Sequence, residues 1–134
     1  EGENISPLLA RLDATLAGIK WEAIFVDDAS TDGTADLIRA FSLADPRIRI
    51  VERIGRRGLA SACIEGMLST AAPYIAVMDA DLQDPPEVLP SFIAKWQEGY
   101  DVVYAVREQR KEGWFKRTSY DIQGRTKYDH LSGS

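Results

Sequence analysis

Apolar positions recur along the chain with two periods, one near 3.6 residues and one near 2, and their alternation lays out a series of helices and strands. Ile5, Leu8, Leu9, Leu12, Leu16 and Ile19 share one face of a first helix, with Ser6-Pro7 suited to its cap and first turn. A strand is predicted around Ala23–Val26, then a helix from about Thr34 to Phe41 entered through the Asp32-Gly33 turn. Ile48 and Ile50 alternate with polar neighbours in a strand over Arg47–Glu52. Gly58 to Ala71 reads as the next helix, stopped by Pro73, with Leu59, Ala62, Cys63, Gly66 and Met67 on its inner face and Cys63 packed in the core. Tyr74–Met78 is an unbroken apolar run of the buried-strand type. After Pro85-Pro86 a helix carries Val88, Leu89, Phe92, Ile93 and Trp96 and ends at Gly99, and Asp101–Val106 closes the regular series as a strand.

Strands alternating with helices at this spacing predict an α/β fold, a three-layer sandwich with a mainly parallel sheet, whose ligands bind beyond the carboxyl ends of the strands. The residues able to do chemistry fall on that edge. Asp27 and Asp28 follow one strand, Arg53 to Arg57 the next, Asp79 to Gln83 a third, and Arg107 the last. Carboxylates and arginines of purely structural use would be expected at both edges of the sheet.

Two acids one residue apart, Asp79 and Asp81, repel each other unless a cation lies between them. Hard oxygen donors from Asp79, Asp81 and the Gln83 amide suit Mg²⁺ or Mn²⁺, ions that keep open positions for substrate phosphates. The upstream segment Val26-Asp-Asp-Ala-Ser-Thr-Asp-Gly-Thr34 repeats the design of apolar strand, paired acids and helix start. Asp27 is expected to brace its loop, Asp32 to cap the following helix, and Asp84 to stand as a solvated turn residue.

At these residues the chain resembles the family-2 glycosyltransferases of the GT-A fold, and within them the polyprenyl-phosphate, dolichol-phosphate-mannose-synthase-like branch. Val26 to Thr34 is similar to that family's nucleotide-binding loop, and Met78-Asp-Ala-Asp-Leu-Gln-Asp-Pro-Pro-Glu87 to its metal-binding signature. Arg57-Gly-Leu-Ala-Ser-Ala62 followed by Gly66 matches a third landmark, and the likeness runs from Glu1 to about Arg117. The resemblance implies a nucleotide-sugar site at Glu1, Val26, Asp28, Arg57, Asp79, Ala80 and Arg107, and a Mg²⁺ or Mn²⁺ held by Asp79, Asp81 and Gln83. It implies an inverting transfer of a hexose from a GDP- or UDP-sugar to an acceptor such as polyprenyl phosphate, in the cytoplasm at the inner face of a membrane. No residue takes the place of the family's catalytic base, so that role stays unknown.

Family members begin with an apolar strand just ahead of the position of Glu1, lying between the strands at Ala23–Val26 and Tyr74–Met78. Its absence here predicts an incomplete GT-A domain over residues 1–117, followed by a polar C-terminal tail over 118–134. The gap would be filled by another part of a longer protein or by a second copy of the chain. Direct pairing of the two flanking strands would contradict that expectation. In and after Arg107 the basic residues Arg110, Lys111, Lys116 and Arg117 surround Trp114 and Phe115, either as a solvated tail or as a basic-aromatic edge facing anionic lipid.

Composition narrows the field. A chain of 134 residues holds one domain with a real core, and a net charge of −5 with a pI near 4.9 excludes a nucleic-acid binder built on a basic face. Cys63 and His130 are the sole cysteine and histidine, which excludes an intrachain disulfide, a multi-cysteine zinc site and leaves little for a Ser-His-Asp apparatus. No apolar run reaches the length of a membrane span. Two other readings stay open: a non-catalytic fragment that keeps the fold, and an Asp-dependent phosphoryl-transfer domain.

Overall fold

Strands β1 (Ala23–Asp27) and β2 (Ile48–Glu52) pair in parallel, in register from Ala23↔Ile48 to Asp27↔Glu52. The ladder runs one bond further at each end: the Ala23 N–H donates to the Arg47 carbonyl at 2.8 Å, and the Arg53 N–H to the Asp27 carbonyl at 2.8 Å. These coordinates are a computed structural model that describes residues 2–55, 58–112 and 115–126, with the backbone alone over 108–112 and 115–119. The chain divides into two compact units, Glu1–Pro86 and Glu87–Ser134.

In the first unit one 3-10 turn, Gly2–Asn4, leads into α1 (Ile5–Thr15), whose face of Ile5, Leu8, Leu9 and Leu12 is buried. Each such side chain contributes roughly 1.5–3 kcal/mol by leaving water, so this stripe anchors the unit. The helix starts ahead of Ser6, with Asn4 at the N-cap position, and Pro7 lies in the first turn, where a missing N–H costs no bond. Helix α2 (Thr34–Ala44) adds Ala35 and Ile38 to the core and packs on β2, while α3 (Leu59–Leu68) packs against β1. A Cβ at Gly66 would stand 3.2 Å from Val26 Cγ2, so glycine lets α3 approach β1 closely at that point.

Two expectations in this unit are corrected. None of the residues of α3 is buried; Leu59 and Leu68 are exposed, and Cys63 is half-buried instead of packed in the core. Tyr74–Met78 forms no strand, and Tyr74, Ile75 and Val77 are exposed. A strand exists only through its ladder, and among the described residues this run has no hydrogen-bonded neighbour strand. It does not pair with β1, whose one ladder partner among the described residues is β2.

In the second unit α4 (Leu89–Gln97) has Pro90 in its first turn and ends at Gly99, which takes a positive φ of 101°. Strands β3 (Val102–Glu112) and β4 (Phe115–Arg125) form an antiparallel hairpin, paired from Val102↔Arg125 to Glu112↔Phe115. This corrects the boundary expected at residue 117: the segment read as a polar tail is strand through Arg125. The last predicted strand is also longer than Asp101–Val106 and lies in a separate antiparallel sheet. A two-stranded ribbon need not bury a whole face, so β4 carries no strong apolar alternation for sequence reasoning to detect. The Tyr100 ring lies against Gly124, where an added Cβ would meet ring carbons Cδ1 and Cδ2 at 2.6 and 2.8 Å.

Gly124→Ala is expected to push the Tyr100 ring off the hairpin and cost about 1–3 kcal/mol, read by denaturant unfolding. An unchanged midpoint would show that the ring does not hold the ribbon. A second prediction concerns the start of α2. Thr34 donates to Asp32 Oδ1 from its backbone N–H at 3.1 Å and from its hydroxyl at 2.5 Å. These bonds, the hydroxyl's first, hold the Asp32 carboxyl below its ordinary value. A carboxyl lowered in the folded state stabilises the fold above its unfolded value, about pH 3.9, and that stability is lost as pH falls through the folded value. Asp32→Asn should therefore flatten the acid limb of the stability profile below about pH 4 relative to the parent. Parallel limbs in the two proteins would contradict this.

Candidate functional site

The turn that follows β1 is built by its own acids. Asp27 is buried at 7 % exposure and accepts the Ser30 N–H at 3.0 Å through Oδ2, while its Oδ1 takes the Ser30 hydroxyl. Within that loop Ala29 adopts a φ of 60°, a left-handed conformation that a non-glycine residue holds only when its surroundings fix it. The second acidic loop shows the same feature: Leu82 has a φ of 63°, and the Gln83 N–H donates to Asp81 Oδ1 at 3.0 Å. Ala29 and Leu82 are the non-glycine residues of positive φ among the described residues, and each sits inside one of the two motifs.

The two loops meet at one cavity of about 320 Å³ in the first unit. Phe25, Val26 and Asp27 contribute from β1, Asp79, Ala80 and Asp81 from the second loop, and Ile5, Thr34 and Ile38 from α1 and α2. A lining that mixes apolar side chains with three acids can hold a flat or apolar group beside a cation. Among the described residues no cluster of three or more His, Cys, Asp or Glu side chains is arranged to hold a metal. A divalent ion here would therefore take Asp79 and Asp81 with donors that are not acidic side chains, such as the Gln83 amide, water and phosphate oxygens. That donor set fits Mg²⁺ or Mn²⁺, which bind through one or two carboxylates and fill the remaining positions with water and phosphate.

The other predicted site residues distribute as follows. Val26 lines the cavity, half-buried, with Gly66 behind it. Asp28 stands outside the lining and faces Arg53: its Oδ1 is 3.1 Å from Arg53 Nε. Arg107 is corrected: it lies within β3, not after it, and its guanidinium carbon is 5.9 Å from the Tyr120 ring centroid across the hairpin. It belongs to the second unit, and Asp79 to Gln83 follow no strand, so the shared strand edge is seen here for Asp27, Asp28 and Arg53. Glu1 and Arg57 lie outside the described residues. Asp27 braces its loop, as read from the sequence; Asp32 accepts from Thr34 one residue ahead of the N-cap position, which is Gly33 instead.

The sequence places Arg53 among the groups at the strand ends without a role of its own; its side chain is 1 % exposed and stands between Asp28, just after β1, and Glu65 of α3. The sequence gives no cavity role to Ile5, named only on the first helix's face, to Thr34, named only as the end of the motif 26–34, or to Ile38. The signal for those three was present in the helical periodicity, which marks them as inward-facing without saying that what they face is a cavity.

The Glycosyl transferase family 2 profile matches residues 1–132 of the chain. An uncharacterized glycosyltransferase, YkcC of Bacillus subtilis (strain 168), is 46 % identical over 98 residues, covering 72 % of this chain and 30 % of the relative. A dolichol-phosphate mannosyltransferase of Pyrococcus furiosus is 36 % identical over 117 residues, covering 85 % of this chain and 33 % of the relative. The chain thus spans about a third of the length of these curated relatives. The matched residues include both acidic loops and the α/β unit that carries them, and the chain belongs to glycosyl transferase family 2, with the GT-A fold that this family implies.

Proposed function

We propose that this chain is the donor-binding part of a metal-dependent, inverting glycosyltransferase that moves a hexose from a nucleotide-diphosphate sugar to an anionic acceptor. The observation that carries the reading is the meeting of Val26 and Asp27 with Asp79, Ala80 and Asp81 at one cavity. Asp79, Asp81 and Gln83 would hold Mg²⁺ or Mn²⁺, which when bound neutralises the diphosphate charge that grows as the sugar–oxygen bond breaks. Val26 and Asp28 would receive the nucleoside, with Glu1 and Arg57 at the matching family positions, and Ala80 toward the diphosphate-sugar.

The acceptor reading rests on the relative named for dolichol-phosphate mannosyl transfer and on the Asp81-Leu-Gln-Asp-Pro-Pro86 pattern. It points to a polyprenyl phosphate and to work at the cytoplasmic face of a membrane. Among the described residues no helix is long and apolar enough to cross one. A second reading, a domain that binds donor without turnover, is favoured by the apolar run 74–78 beside the acidic loop, which forms no strand among the described residues. Addition of a strand between β1 and that run, from elsewhere in the protein or from a second copy, would complete the sheet.

Calorimetric titration with GDP and UDP, each with and without Mn²⁺, tests the donor site. One nucleotide is expected to bind with metal, and removal of Mn²⁺ or the substitution Asp81→Ala to weaken it at least about tenfold. Equal affinity with and without metal, or in Asp81→Ala, would overturn the metal assignment.

A further inference from the structure

Arg53 follows β2 by one residue, and its backbone N–H extends the β1–β2 ladder to Asp27. Its side chain is 1 % exposed. A buried guanidinium costs several kcal/mol unless anions and acceptors surround it, so its neighbours show what it is for. Nε lies 3.1 Å from Asp28 Oδ1 and 4.0 Å from Glu65 Oε2, and Nη2 donates to Ser61 Oγ at 2.8 Å. Ser61 and Glu65 stand four residues apart on α3, so they share a helix face. Arg53 thus ties the end of β2 to α3 and to the residue directly after β1.

On the Asp28 side the fit is incomplete. Asp28 Oδ1 and Arg53 Nε are buried with no aligned hydrogen bond, and Arg53 Nη1 is buried without an acceptor among the described residues. The attraction between Nε and Oδ1 is therefore an ion pair by distance alone. Yet Asp28 remains 30 % exposed. Because Oδ1 is turned inward, the exposed share belongs to the rest of the side chain. A left-handed Ala29 and the Asp27–Ser30 bonds fix the backbone on the far side of Asp28. Backbone turn and guanidinium together leave that carboxylate little rotational freedom.

We infer that Arg53 is a positioning residue, which pre-orients the Asp28 carboxylate so that its outer oxygen can accept hydrogen bonds from the nucleoside of the donor. The inference rests on the reading of Asp28 as the nucleoside contact. Arg53 itself is too buried to touch ligand, so it acts on affinity through Asp28. Lysine cannot replace it, since an ammonium places a single charge where the guanidinium spans Asp28 and Ser61 at once.

The test is calorimetry with Mn²⁺ and three probes, GDP, UDP and pyrophosphate, on the parent chain, Arg53→Met, Arg53→Lys, Asp28→Asn and Arg53→Met/Asp28→Asn. Circular dichroism checks folding, and Arg53→Lys serves where Arg53→Met does not fold. The nucleotide that binds the parent is expected to bind both Arg53 variants about tenfold more weakly, while pyrophosphate stays within about twofold. The double variant is expected to be no weaker than Asp28→Asn alone. Equal losses for pyrophosphate and nucleotide would reduce Arg53 to a support of the fold and overturn the inference. So would full nucleotide affinity in the Arg53 variants while Asp28→Asn is weakened, with the nucleoside reading left standing. Nucleotide affinity that is absent from the parent, or unchanged in Asp28→Asn, would instead sink the reading of Asp28 and the inference with it.

Discussion

The parallel pairing of β1 with β2 is the constraint on which the first unit depends. Its register sets Asp27 opposite Glu52 and, through one further backbone bond, brings Arg53 beside the turn after β1. From that single alignment follow the position of the buried guanidinium, the docking of α3 through Ser61 and Glu65, and the direction in which Asp28 faces. A slip of one residue would turn every side chain of the strand to the opposite face and separate these groups. The buried stripe of α1 and the Ala35 and Ile38 contacts of α2 supply the apolar free energy that holds the register in place.

Within a short span of chain, identical side chains do different work because their surroundings differ. Asp27 is buried and spends both oxygens on Ser30. Asp32 takes two bonds from Thr34 and secures a helix start. Asp28 keeps one oxygen inward at Arg53 and leaves the rest of its carboxyl to solvent. Asp79 and Asp81 line a cavity, the second turned partly onto its own backbone by Gln83. Accessibility separates them: Asp27 is buried on its own loop, whereas Asp28, Asp79 and Asp81 keep carboxylate surface open to a ligand.

Much of the first unit was legible because its elements bury one face. The stripe Ile5-Leu8-Leu9-Leu12 and the alternation of Ile48 and Ile50 state their periods plainly, and the two acidic motifs stand out against apolar runs. Tyr74–Met78 was misread because composition reports the tendency to be a strand and not the presence of a partner. Strand β4 was missed for the opposite reason, since a hairpin pairs through backbone and needs no apolar face. Arg107 was set at a strand end because the strand was cut short at Val106. Arg53 is named in the sequence at a strand end, but its burial is not legible there, since it depends on α3 closing over it from eight residues further on.

The central claim is that the loop at 79–83 holds a divalent metal beside a nucleotide bound at the end of β1. It is tested most directly by paramagnetic broadening of backbone amide NMR signals on addition of Mn²⁺ with GDP or UDP. The account predicts that the amides of 79–83 broaden first and those of 26–30 next, at substoichiometric metal, and that Asp81→Ala abolishes the effect. Broadening centred on other acids of the chain, or spread evenly over the surface, would contradict it.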